Sequence, residues 1–308
     1  MRVLGTGIEE LTEEFFRSPT LGFGIPLALV GAVFLSLGAQ FQSQGVTKVE
    51  ARLGDGARAG LSPRQLLHLL GRPSWVLGTV MLGLAILFQL TSLGFAPLIV
   101  VQPIGVVALV ITAILNARIS RIRLDRKAIT AIGMSVGGVA VFVIVAATFA
   151  VEKRIDERQL LTVLGILAVV TAGFGVLFAR YRRRAGAMFY IVGAGILYGF
   201  VATLAKVVIS RISSGDFEVL TVIAIVALLA SAALGGYFVQ TAYSVGSPDL
   251  VIAGLTVIDP LVAVLIGVLV LGEAVFIPLP AALLCGVAGI VAIIGVVRLA
   301  KHHPQTHR

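Results

Sequence analysis

Charged residues are scarce in this sequence: they make up 13% of 308 residues, against roughly 25% in soluble domains. A water-soluble surface cannot be built from so few. Cysteine is nearly absent too. Cys285 stands alone in an apolar stretch, which excludes an intrachain disulfide and a multi-thiolate metal centre and leaves a packed, inert thiol. Histidine is confined to His68, His302, His303 and His307, all outside the apolar stretches, and the tail cluster reads as a solvated end. No Ser–His–Asp, zinc-protease or nucleotide-binding spacing is present, and no nucleophile sits beside a base within an apolar stretch. The expectation is a protein that is not an enzyme and needs no cofactor.

What the chain has instead is apolar length. Hydrophobic residues are 58% of the total, and the mean hydropathy is +1.05. They fall into nine blocks of about 20 residues, the length that crosses roughly 30 Å of hydrocarbon. The blocks are Gly24–Val46, Ser74–Ser92, Ala96–Ala117, Ala128–Ala150, Gln159–Ala179, Ala187–Ser210, Val219–Tyr243, Pro248–Leu271 and Leu279–Leu299. A lone strand in lipid would leave its backbone groups unsatisfied, so each block is expected to be a helix. The fold expectation is an all-α integral membrane protein of about nine transmembrane helices, with the lipid bilayer as its first partner. Ahead of them, residues 1–23 carry an amphipathic extracytoplasmic segment, with Ile8, Leu11, Phe15 and Phe16 near one helical face.

The net charge of +9 does not imply nucleic acid, because the positive residues lie in short runs between apolar blocks. They are topology signals. With nine spans, seventeen lysines and arginines fall in loops on one side and six on the other. The rich side includes the basic loop 47–73, the Arg118–Lys127 connection, the Arg180–Arg184 connection and the tail at 300–308. Lysine and arginine favour the cytoplasm, so the amino terminus is expected outside and the carboxyl terminus inside a plasma membrane.

The chain also repeats itself weakly. Around segments two and three, Gln89 is followed by Pro97 in a short turn, then by Gln102 and Pro103 within the next block. Around segments seven and eight, Gln240 is followed by Pro248, then by Asp259 and Pro260. Proline removes a backbone donor and disturbs the carbonyl one turn earlier. Matching interruptions in two halves of a membrane chain point to a transport site.

The stretch Ala242–Glu273, with Pro260 and the terminal Leu271-Gly272-Glu273, resembles the second repeat of the EamA-type drug/metabolite transporter superfamily. GAVFLSLGAQFQSQGV (Gly31–Val46) and FAPLIVVQPIGVVALVITAIL (Phe95–Leu115) are similar to its NIPA-type magnesium transporter branch. The resemblance implies two inverted-topology repeats, placed at 24–150 (four spans) and 151–299 (five spans), a central site, and alternating access without ATP. It departs at three positions: Ile86 stands where the NIPA pattern has Glu, Gln89 where it has Asn, and Gln102 where it has Thr. Magnesium prefers oxygen ligands and usually one or two carboxylates. Losing one counts against magnesium, so the leading expectation is a secondary transporter of a small metabolite or drug-like solute. NIPA-like magnesium movement is the alternative within transport, and a non-transporting scaffold or accessory subunit the alternative outside it.

Asp259 and Lys206 are the only charges deep within apolar blocks, and such charges are functional candidates by default. A pair between them would satisfy both; alternatively Lys206, about two-thirds of the way along its block, snorkels to the interface. Gln40, Gln42, Gln89, Gln102 and Gln240 are further candidates for a polar cavity, with Gln102 and Gln89 foremost. Glu273 is expected at the surface. Gly133-x-x-x-Gly137 and Gly195-x-x-x-Gly199 are small-residue faces that suit close packing within the monomer, or a homodimer seam. No metal-ligand set can be assigned from the sequence.

Overall fold

The computed structural model describes residues 19–53, 71–119, 125–151, 155–181, 186–245 and 248–301. The amphipathic segment before residue 19, most of the basic loop 47–73 and the tail from His302 lie outside the described residues. The described chain is all helix: α1 Pro19–Leu53, α2 Pro73–Phe95, α3 Leu98–Ile119, α4 Arg126–Phe149, α5 Glu157–Tyr181, α6 Ala187–Ser213, α7 Val219–Val245, α8 Pro248–Ile266 and α9 Leu279–Lys301. Eight of these are long and apolar enough to cross a membrane. The remaining one, α1, runs 35 residues, with a shorter apolar part at Gly22–Gly38. Helix α1 also continues through Leu53, so the start of the basic loop 47–73 is helical.

Local chemistry explains the boundaries. Helix α2 begins on proline after an extended Arg72, and the missing proline amide costs nothing in a first turn. Pro97 cannot continue α2. Ala96, the residue before it, takes extended angles (φ −141°, ψ 151°), and α3 starts at once at Leu98. Helix α8 ends differently. It runs into a single π turn, Gly267–Leu271, and stops at Gly272, whose φ of +70° suits a residue without Cβ.

The helices pack as two similar groups. Helix α1 lies against α2 and α3, and α3 against α4; α6 lies against α7 and α8, and α8 against α9. The groups meet where α3 touches α8 and α4 touches α9. Helix α5 stands at the side, against α6, α7 and the π turn. The Ser92 hydroxyl donates to the Gly24 carbonyl, so α1 begins at the end where α2 finishes. Lys206, near the end of α6, bonds carbonyls of that same α2 terminus, so α6 finishes there too. Equivalent helices α1 and α6 therefore run in opposite directions, as inverted repeats require.

The small-residue faces divide. A Cβ on Gly195 would stand 2.7 Å from Ile258 Cβ, and one on Gly199 2.7 Å from Val262 Cβ, so this face seats α6 closely on α8. Close packing within the monomer fails for the other pair: a Cβ on Gly133 or Gly137 would meet nothing within 4 Å. Helix α4 instead packs on α9 through Ser135 and Gly138, against Gly295 and Ala292, one register step away. Helical spacing alone does not choose between two small-residue faces on one helix; the partner's surface does.

Candidate functional site

Pro103 and Pro260, expected to break their helices, lie inside continuous α3 and α8, because the rest of each helix's hydrogen-bond ladder survives the loss of one amide, and both line a small apolar crevice. A cavity of about 630 Å³ lies between α1, α2, α3, α6 and α8. Its polar lining is Gln89, Gln102, Tyr198, Thr256 and Asp259, and Pro260 lies beside them. The rest of the wall is apolar, with Leu35, Ile86, Leu93 and Val106 among its residues. Helical geometry places these groups together. Gln89 lies two turns before the end of α2, Gln102 one turn into α3, and Asp259 mid-way along α8.

Asp259 is the sole acidic side chain of this lining. Its Oδ1 is buried and has no hydrogen-bond partner. A buried carboxylate oxygen without a donor is costly, so the arrangement suits a cation or a proton. Pro260 supplies no amide to the carbonyl of Thr256 one turn back, so the backbone there differs from a regular helix. Gly195 and Gly199 bring α6 onto this segment: a Cβ on Gly199 would stand 3.0 Å from the Asp259 carbonyl oxygen.

A pair between Asp259 and Lys206, one of the readings open from the sequence, does not form. Lys206 is 4% exposed, and its ammonium donates to the carbonyls of Leu93 (2.7 Å) and Ala96 (3.0 Å). Those carbonyls belong to the last turn of α2 and its cap, which Pro97 leaves without helical donors. The negative end of the helix dipole attracts a cation there. Lys206 is also absent from the cavity lining. Gln40 is half-buried in α1 and likewise does not line the cavity. Gln42 and Gln240 lie within α1 and α7, and their side chains, like that of Pro248 at the start of α8, fall outside the described residues. Pro97 is buried in the α2–α3 turn, whereas Pro103 lines a small apolar crevice shared by α3, α4, α8 and α9.

Glu273 overturns its surface expectation. It is 4% exposed, and its carboxylate accepts hydrogen bonds from the amides of Leu98 and Ile99, both at 2.9 Å. Nothing in its own neighbourhood signals this. It follows Gly272 at the end of an apolar block, and its partners are 174 and 175 residues away. Among the described residues, no three His, Cys, Asp or Glu side chains gather as a metal-ligand set.

Residues 20–197 match the family described as magnesium transporter NIPA. An uncharacterized protein of Corynebacterium glutamicum is 26% identical over 237 residues, covering 77% of this chain and 82% of that one. No solved structure matches.

Proposed function

The chain belongs to the magnesium transporter NIPA family, a family of membrane transporters, and from that premise we propose that it carries magnesium, largely hydrated, through the Asp259 cavity by alternating access. The observation that carries the reading is Asp259, the sole acidic side chain lining the cavity, whose buried Oδ1 has no hydrogen-bond partner. Magnesium sheds water reluctantly and is commonly held by one or two carboxylates with several waters retained. A cavity of about 630 Å³ accommodates such an ion with its water shell. The carboxylate supplies charge, and the amides of Gln89 and Gln102 and the hydroxyls of Tyr198 and Thr256 supply hydrogen-bond partners for bound water.

In this reading residues 24–150 and 151–299 act as the two repeats of a drug/metabolite-type transporter, rocking about the central site. The protein sits in the cell membrane, with the basic connections cytoplasmic, the amino terminus outside and the carboxyl terminus inside. A second reading, an organic cation or other small solute, is favoured by the apolar walls and by Ile86, which lines the cavity where the family pattern has a carboxylate.

The test is uptake into proteoliposomes loaded with a magnesium-sensitive dye, alongside radiolabelled organic cations. Saturable magnesium entry that organic cations do not compete with supports the first reading. Absence of magnesium flux in protein that moves an organic cation replaces it with the second.

A further inference from the structure

Two buried charges grip the corner between α2 and α3, next to the cavity-lining Leu93. Helices α2 and α3 meet at the corner Phe95–Leu98, with Ala96 extended and Pro97 preventing a continuous helix. Lys206 bonds the α2 side of this corner through Leu93 and Ala96 carbonyls. Glu273 bonds the α3 side through the Leu98 and Ile99 amides. Each charge opposes the helix terminus it complements, a cation at carbonyls and an anion at amides. Lys206 comes from α6, whose Ala202 and Ala205 line the cavity, and Leu93 of the gripped α2 turn lines it as well. Glu273 reaches the corner from beyond the π turn of α8, the helix that carries Asp259. The first-repeat corner is thus tied to the second repeat by polar bonds on each side of its bend.

These ties differ from ordinary core packing. Both charges act on backbone groups that the proline bend leaves without helical partners, at residues that are themselves buried in the core. The π turn leaves room for the carboxylate: a Cβ on Gly267 would stand 2.7 Å from Glu273 Oε2 and 3.4 Å from Leu98 Cβ. We propose that Lys206 and Glu273 form a gate latch, holding the α2–α3 corner over one end of the Asp259 cavity, and that transport requires this corner to separate from α6 and the α8 terminus. Lys206 and Glu273 are positioning residues in this account and do not touch the cargo. The inference rests on alternating access through this cavity but not on what is carried.

The experiment is labelling of one cavity-lining cysteine, Ala202→Cys in a Cys285→Ala background, with a membrane-impermeant methanethiosulfonate. The reagent is applied separately to each face of oriented vesicles. Loss of a charge-assisted bond to buried backbone is expected to raise labelling from the corner face at least about tenfold in Lys206→Met and in Glu273→Gln. Labelling from the other face should not rise. Unchanged corner-face labelling in well-folded variants overturns the latch, even if magnesium flux is lost; raised labelling with no magnesium flux keeps the latch and removes only the cargo assignment. A second variant covers loss of folding. Gly94→Cys with Ile209→Cys bridges the end of α2 to α6 without touching Lys206 or Glu273, since a Cβ on Gly94 would stand 3.4 Å from Ile209 Cγ2 and meet nothing else within 4 Å. Oxidation should stop transport and reduction restore it; transport that continues through the cross-linked protein overturns the proposal.

Discussion

The change Asp259→Asn removes one charge and almost nothing else. Oδ1 makes no hydrogen bond, so asparagine forfeits none there, and Lys206 is satisfied by Leu93 and Ala96 carbonyls. The fold should therefore be retained, with a stability change of at most about 1 kcal/mol. Binding should suffer far more. A unit charge 4 Å from another in water contributes about 1 kcal/mol, so a doubly charged ion loses about 2 kcal/mol, or roughly thirtyfold in affinity, even when the cavity screens like bulk water. A less polar cavity increases the loss. The assay is the magnesium dependence of uptake in proteoliposomes, with the variant checked for monodispersity and melting. Wild-type KM and kcat in well-folded Asp259→Asn would refute the role of this carboxylate. Combining it with Lys206→Met supplies a second check. An interacting pair would give rescue, because the second change removes the stranded charge. Here the stability effects should add within about 0.5 kcal/mol, because the groups have different partners.

Ile86→Glu returns a carboxylate to the wall of the same cavity, and should lower the KM for magnesium several-fold in the uptake assay; an unchanged KM would separate Ile86 from the ion path. Gly199→Ala drives a Cβ to 2.7 Å from Val262 Cβ and 3.0 Å from the Asp259 carbonyl, and should cost about 1–3 kcal/mol in a melt. Gly137→Ala meets nothing within 4 Å and should be neutral or stabilising by up to about 1 kcal/mol, unless that face is buried in a dimer. Reporter fusions should place the carboxyl terminus in the cytoplasm; a fusion active only outside would sink the nine-span topology.

Much of the fold was legible in the sequence because lipid imposes a simple rule. Backbone polar groups must be satisfied within each segment, so apolar length alone implies helices. The blocks beginning at Ser74, Val219 and Leu279 lie within a few residues of α2, α7 and α9. Helix α1 escaped at both ends, since a helix can leave the bilayer and stay helical in water, where hydropathy carries no signal. Gln89, Gln102 and Asp259 do line one cavity, whereas Pro103 and Pro260 sit inside unbroken helices.

Lys206 and Glu273 were not legible in the same way. Sequence reasoning offered the isolated lysine either an isolated acid or the interface, because buried charges need opposite charges or water when nothing else is known. The proline corner supplied other partners, bare carbonyls and amides at Leu93, Ala96, Leu98 and Ile99, which no side-chain inventory contains. The sequence by itself determined a helical membrane protein, because helix formation and membrane insertion depend on short-range composition. Only the tertiary structure decided which small-residue face is packed, which glutamines reach the cavity, and that Glu273 crosses 175 residues of chain to hold a helix terminus. Those choices depend on which helices become neighbours, and that depends on the summed packing of all of them.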